Sequence, residues 1–172
     1  MLPNAAALNS IQIVPLTEQD WHRAKEIRLR ALADTPDAFG STLAVEEAFP
    51  EAEWRRRLAP DDRVTFVAEK NGQDVGLVVC APFEGQPDTA GLFSMWTAPD
   101  VRRQGVGGAL IRAVTEWAEA RGYKQIALDV ADTNTAAVAA YARMGFAPTG
   151  EAGTLPPPRT HITEHRRLLS LT

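Results

Sequence analysis

Apolar and polar residues follow two periods along this chain, one near 2 and one near 3.6, and their order predicts the elements. Ile11-Gln12-Ile13-Val14 alternates as a short strand, and Thr17-Glu18-Gln19-Asp20 has the Thr-x-x-Asp form of a capping box, which predicts a helix start. Trp21, Ala24, Ile27 and Ala31 then recur on one helical face, with Arg23, Lys25, Glu26 and Arg30 around the rest, until Thr35-Pro36-Asp37 ends the element. After a connection at residues 38–42, a moderately amphipathic helix runs from about Ala44 to Leu58, interrupted or restarted by Pro50 and stopped at Pro60-Asp61-Asp62. Residues 64–70 and 74–80 flank Asn71-Gly72, a pair that favours the positive backbone angles of a hairpin turn. Past the turn region from Pro82 to Pro87, a strand spans residues 89–97 and Pro99 breaks it. Val106, Leu110, Ala113, Val114 and Trp117 mark the next helix, with Arg112, Glu116 and Glu119 turned outward, and Arg121-Gly122 closes it. Residues 125–130 form an apolar strand, and an Ala-rich helix follows from Asn134 to Met144, closed by Gly145. Leu155-Pro156-Pro157-Pro158 cannot enter a regular ladder, and His161 to Leu169 supplies a last strand.

A hairpin preceding a strand-helix-strand unit implies a mixed sheet covered by helices. The expected fold is α/β of the α+β type, with a central sheet of about six to seven strands and about four helices. At 172 residues the chain builds one substantial core and is short for two domains. Residues 1–10 are expected to form a flexible tail, and residues 11–172 the one domain.

Composition narrows the partners. A chain 45% hydrophobic and 23% charged is ordinary for a globular protein, and a formal net charge of -4 removes the usual electrostatic reason for nucleic-acid or anionic-membrane binding. The opening residues lack a basic region and an apolar run of signal or spanning length, so a cytoplasmic location is expected. Cys80, alone and in the apolar run Gly76-Leu77-Val78-Val79-Cys80, reads as a buried structural thiol. No metal-ligand spacing joins His22, His161, His165 and Cys80, so no metal is expected.

The chemically informative segment is Arg102-Arg103-Gln104-Gly105-Val106-Gly107-Gly108-Ala109-Leu110, where glycines stand between a strand and a helix. Backbone N–H groups there can approach an anion unobstructed, the helix end favours it, and Arg102 and Arg103 can add charge-assisted bonds. A Walker loop would need Gly-Lys-Ser/Thr where Gly107-Gly108-Ala109 stands, and a dinucleotide fingerprint would need glycine where Leu110 stands. A plain helix cap with two surface arginines is the alternative.

Thr97-x-Pro99-x-x-Arg102-x-x-Gly105-x-Gly107 resembles the acetyl-coenzyme A signature of the GNAT superfamily of N-acetyltransferases. Asn134-x-x-Ala137-x-x-x-Tyr141-x-x-x-Gly145-Phe146 resembles that family's second signature, about 30 residues on with a strand between. The resemblance implies that the strand ending Met95-Trp96-Thr97 offers main-chain groups to the pantetheine arm. A bulge there would splay it from the next strand and receive the acetyl group. It also implies that the amides of Arg102, Arg103, Gln104, Gly105, Val106, Gly107 and Gly108 bind the pyrophosphate, that Asn134 contacts the pantetheine side, and that Tyr141 directs its hydroxyl at the thioester sulfur. Thr97 stands where the family usually has Val, and Arg103 where it usually has Gly, but both positions act through the main chain.

Acetyl transfer from such a thioester to an amine needs a neutral amine, an oxyanion donor and a proton for the leaving thiolate. A backbone N–H near Met95 to Thr97 and the Tyr141 hydroxyl are candidates for the last two. No base is evident: Glu46, Glu47, Asp129, Asp132 and Glu164 each read as solvated charges, and His161 and His165 are candidates only by nearness to the end strand. No nucleophile-base pair stands out, which favours direct attack by a small-molecule primary amine in a ternary complex. The first two helices, residues 37–47 and the loop at residues 154–161 should border the acceptor side, where Glu46 and Glu47 would suit a cationic amine. A noncatalytic acyl-coenzyme A-binding sensor and a protein N-acetyltransferase are the alternatives, and a homodimer is left open.

Overall fold

The computed structural model describes residues 10–171; the expected tail lies outside them except for Ser10. Among the described residues, seven strands run β1 (Ile11–Pro15), β2 (Val64–Lys70), β3 (Gln73–Pro82), β4 (Thr89–Thr97), β5 (Gln125–Ala131), β6 (Ala147–Thr154) and β7 (Thr163–Ser170). Five α-helices join them: α1 (Trp21–Asp34), α2 (Leu43–Glu47), α3 (Glu51–Leu58), α4 (Val106–Ala120) and α5 (Thr135–Arg143). The strands form one mixed sheet in the order β1-β2-β3-β4-β5-β7-β6, the α/β domain that the pattern implies.

Local chemistry explains most boundaries. Thr17 and Asp20 exchange both capping-box bonds ahead of α1, and Asn71 and Gly72 adopt φ of 53° and 74°, as the turn between β2 and β3 requires. Pro50 divides the predicted second helix into α2 and α3, standing as the N-cap of α3, so five helices appear where four were expected. Strand β6 was not predicted. All eight of its residues are exposed, and it exists through pairing with β7, from Ala147 opposite Leu168 to Thr154 opposite Thr163.

Neighbouring strands are antiparallel except β4 and β5, which are parallel and joined by α4. Ile27, Ala31 and Leu32 of α1 and Leu110, Val114 and Ala118 of α4 share one apolar core with Val67, Val78, Ile126 and Leu128 of the sheet. Their burial fixes both helices against the strands that carry the site. Cys80 is fully buried in that core and burial pushes its thiol up to about 12, as expected of a structural cysteine. No helix among the described residues is long and apolar enough to cross a membrane.

Candidate active site

Strands β4 and β5 pair only over Thr89–Gly91 and Gln125–Ala127. Beyond that point they part, so the facing edges of β4 from Leu92 and of β5 from Leu128 carry main-chain groups with no strand between them, a template for an extended ligand. A bulge lies on the β4 side of the opening. Leu77 pairs with Trp96 and Val79 with Phe93, leaving Ser94 and Met95 together opposite Val78. Ser94 takes φ 58°, a left-handed conformation that costs a non-glycine residue about 1–3 kcal/mol and needs external support.

That support comes from α1 and α2. The Arg28 guanidinium donates Nη1–H to the Ser94 Oγ at 2.9 Å and grips Glu46 through Nε and Nη2, each at 3.0 Å. Arg57 donates to the same carboxylate at 2.8 Å. Glu46 is fully buried; burial alone would raise its pKa, but donors from Arg28, Arg57 and Ser41 outweigh it and hold the carboxyl below the usual range. This corrects the expectation of a solvated charge: Glu46 is a locked anion that anchors Arg28, unavailable as a base or as an attractor for a cationic acceptor. Glu47 next to it is exposed.

The loop after β4 leads into α4. Gly105, at φ 88°, is the N-cap of α4, and no side chain caps it. The Ala109 N–H bonds to the Gly105 carbonyl at 3.0 Å, so the N–H groups of Val106, Gly107 and Gly108 precede the first intrahelical bond and point out of the helix end. A Cβ at Gly107 would stand 3.4 Å from Met95 Cε and 4.0 Å from Thr97 Cγ2, and one at Gly108 would stand 3.3 Å from Met144 Cε. The helix start is therefore wedged between the end of β4 and the end of α5.

The two arginines divide their work. Arg102 donates from Nε to the Thr97 carbonyl at 3.1 Å and from Nη2 to Asp34 at 2.7 Å, while Trp96 Nε1 donates to the same Asp34 oxygen at 3.0 Å. The Thr35 hydroxyl most of all, then Trp96 and Arg102, holds the Asp34 carboxyl below its usual range. Arg102 thereby clamps the end of β4 to α1. Arg103, exposed at φ 65°, makes no ion pair with the described residues. Gln104 joins Lys70 Nζ, at 2.6 Å, to the Asp100 carbonyl, at 3.1 Å, which brings Lys70 to the loop. Val106 is buried in the core.

On the other side of the opening, Asn134 caps α5, its Oδ1 accepting from Ala137 N–H at 3.2 Å and its Nδ2 remaining as a donor. Tyr141 is 8% exposed, edge-on to Phe146 with ring centroids 5.6 Å apart, and its hydroxyl has no hydrogen-bond partner among the described residues. Burial raises its pKa, so the hydroxyl stays a proton donor throughout the neutral range.

The carboxylates of β5 and β7 separate by partner. Asp129 accepts from Arg166 Nε at 3.0 Å and Nη2 at 3.1 Å. Asp132 lies 3.8 Å from His165 Nε2, and His165 pairs with Val130 on the sheet face opposite to Glu164. Glu164 pairs with Ala131, on the face of Asp129, and makes no ion pair within hydrogen-bonding range; burial raises its pKa, the Asp129 charge adds to this and Arg159 opposes it. The loop between β6 and β7 folds toward this face. Arg159 donates to the carbonyls of Pro36 at 2.5 Å and Ser41 at 3.4 Å, and Pro156 packs at Gly40. Sequence reasoning missed Arg28, Ser94, Asp34 and Arg159, which reach the site from positions 66, 62 and over 100 residues from their partners. Only the bulge implied by the family signature hinted at Ser94.

A parallel strand pair splayed by a bulge beside a glycine-rich helix start defines the class of protein. Residues 25–146 match the Acetyltransferase (GNAT) family, and the chain belongs to it. It is 33% identical over 100 residues to N-acetyltransferase family 8 member 3 of Mus musculus, covering 56% of this chain and 44% of that protein, so the match spans under half of the relative's length. The fold resembles that of an acetyltransferase of the GNAT family from Streptococcus pneumoniae, with a TM-score of 0.80 and 20% identity over 95% of this chain and all of the other. Nourseothricin acetyltransferase is 31% identical over 65% of this chain and 67% of its own, with a TM-score of 0.60.

Proposed function

We propose that the chain moves an acetyl group from acetyl-coenzyme A to a primary amine by direct attack in a ternary complex. The observation that carries this reading is the opening between β4 and β5, with the uncapped start of α4 at one end. The residues present fit the coenzyme. Gly105 provides the left-handed N-cap, the amides of Val106, Gly107 and Gly108 suit a pyrophosphate, and Arg103 and Lys70 add positive charge beside them. The free edge of β4 from Met95 to Thr97 suits the amides of a pantetheine arm, and the Asn134 Nδ2 suits a carbonyl on it.

Acetyl-coenzyme A supplies a thioester carbonyl open to attack and a thiol leaving group. The bulge at Ser94-Met95 would aim a main-chain N–H at the carbonyl oxygen, a contact worth about 2.7–4 kcal/mol in other enzymes. Glu164, half-buried and unpaired, takes a proton from the acceptor ammonium directly or through water. The amine nitrogen bonds to the carbonyl carbon, the carbon–sulfur bond breaks with its electron pair going to sulfur, and the Tyr141 hydroxyl gives sulfur its proton. The nitrogen loses its second proton to solvent as the amide forms, and Tyr141 is reprotonated from solvent. The strap that Arg159 ties to residues 36–41 favours a small acceptor over a protein segment, since it narrows the acceptor side.

A thiol-release assay with acetyl-coenzyme A and a panel of amines tests this, alongside calorimetry of coenzyme binding. Amine-dependent release of one thiol per acetylated product is expected, and failure to bind the coenzyme would overturn the reading.

A further inference from the structure

Phe93 lies on a central strand and yet is 41% exposed. Large apolar side chains in mid-sheet are ordinarily covered by a helix, and this one is not, because α1 covers the other end of β4, where Arg30 lies 5.5 Å over the Trp96 ring. The Phe93 ring is nonetheless held. It leans back over Gly91, where a Cβ would stand 2.4 Å from its Cε2, so only glycine leaves it that position. Phe83 stacks nearly parallel to it, with centroids 6.4 Å apart and planes at 13°, and the Arg166 guanidinium lies 4.7 Å over the Phe83 ring, fixed by Asp129 and, at 2.7 Å, by Glu151. The result is a flat aromatic platform, rigid and open on one side.

Sheet register relates this platform to the opening. Gly91 pairs with Ala127, which puts Phe93 level with Asp129, on the same face. Glu164 pairs with Ala131, two residues further along that face. By strand rise and spacing the Phe93 and Glu164 backbones are at least about 12 Å apart, and the splay of β4 from β5 between them adds to that. The remaining charges around this floor are matched: Asp129 and Glu151 by Arg166, Glu46 by Arg28 and Arg57, and Arg159 by Asp37 at 3.8 Å. Glu164 is left as the one unmatched carboxylate on this face of β5 and β7 among the described residues.

We infer that the acceptor is a monoamine bearing a flat apolar group, an arylalkylamine, with its ring on Phe93 and its amino group toward Glu164; this rests on the acetyl-transfer reading above. One unpaired carboxylate complements one ammonium and gives a polycation nothing further to bind, and a partly exposed ring beside the opening gives an apolar group its contact. Because the Phe93 ring leans toward Gly91, the alkyl linker brings the amino group from the ring into the opening, and water carries the contact on to Glu164.

The test compares phenethylamine, n-butylamine and spermidine in the thiol-release assay, with wild type, Phe93→Ala and Phe93→Tyr. Wild type should have its highest kcat/KM with phenethylamine. Phe93→Ala should lower that value roughly tenfold, the factor an aromatic contact provides, leave n-butylamine and the coenzyme KM within about twofold of wild type, and be rescued by Phe93→Tyr. Preference for spermidine, equal losses with phenethylamine and n-butylamine, or coenzyme binding with no turnover of phenethylamine would overturn the acceptor assignment alone. Failure of the wild type to bind acetyl-coenzyme A would overturn the acetyl-transfer reading beneath it.

Discussion

Arg28 on α1 donates a hydrogen bond to the Ser94 hydroxyl at 2.9 Å, across 66 residues of sequence. The bond ties a helix to the strained turn of the β4 bulge, and the two contacts of Arg28 with the buried Glu46 set the direction of its guanidinium. Loss of Glu46 therefore should loosen both the fold and the bulge.

Glu46→Ala leaves two arginines without their shared partner, and a broken buried pair costs about 3–5 kcal/mol, a fall in Tm of roughly 10 °C for a domain of this size. The folded pKa of Glu46 is depressed below 4.5, so its stabilisation is present above that value and is lost as pH falls through the lowered folded one. Urea unfolding from pH 7 to pH 3 should show that loss in wild type and a shallower one in Glu46→Gln.

Gly105→Ala keeps open space around the added methyl but forces alanine to φ 88°, so a loss of about 1 kcal/mol in stability is expected. Gly107→Asp adds a carboxylate beside Met95 and Thr97 where the coenzyme phosphates would approach. Calorimetry should find the affinity for acetyl-coenzyme A at least tenfold weaker in the folded Gly107→Asp protein, and unchanged affinity would remove the loop from the binding site.

Tyr141→Phe retains the ring against Phe146 and deletes the donor, so thermal denaturation should stay near wild type while turnover falls ~10²–10⁴-fold. Because burial raises the tyrosine above its ordinary value of 10.0, wild-type kcat should show no alkaline loss from this group up to that pH. Full turnover in the variant, with chemistry limiting, would reduce Tyr141 to a packing residue.

Glu164 has the opposite pH signature. A base with its pKa raised above 4.5 is active above the raised value and lost as pH falls through it. The groups that act on it are Asp129, which extends the rise, and Arg159, which limits it. Glu164→Gln should abolish this acid limb of kcat/KM for the acceptor and lower its plateau by ~10²-fold or more, while the coenzyme KM is unchanged.

Arg159→Ala releases the strap from the Pro36 and Ser41 carbonyls. The acceptor KM should rise several-fold more than the coenzyme KM, and equal changes in both would make the strap purely structural.

Much of the architecture was legible because its signals are local. The Thr17–Asp20 cap, the Asn71-Gly72 turn and the helical stripe from Val106 to Trp117 each depend on residues within a few positions of one another. Strand β6 was not legible, since Ala147–Thr154 has no alternation and is a strand only because β7 lies beside it. Glu46 was misread for a related reason. An acidic residue in a short helix is ordinarily solvated, and its burial depends on Arg28 and Arg57, 18 and 11 residues away.

The sequence by itself determined the order of strands and helices up to α5, the glycines that open α4 and the position of Tyr141 on α5, because steric limits and helical periodicity act over a few residues. Only the tertiary structure decided which charges are spent. It committed Arg102 to Asp34, Arg28 to Glu46 and Asp129 to Arg166, and left Arg103 and Glu164 without an ion-pair partner among the described residues and the Phe93 ring partly exposed. A side chain's chemistry is set by the partners that folding brings to it, and those partners come from strands and helices far apart in the chain.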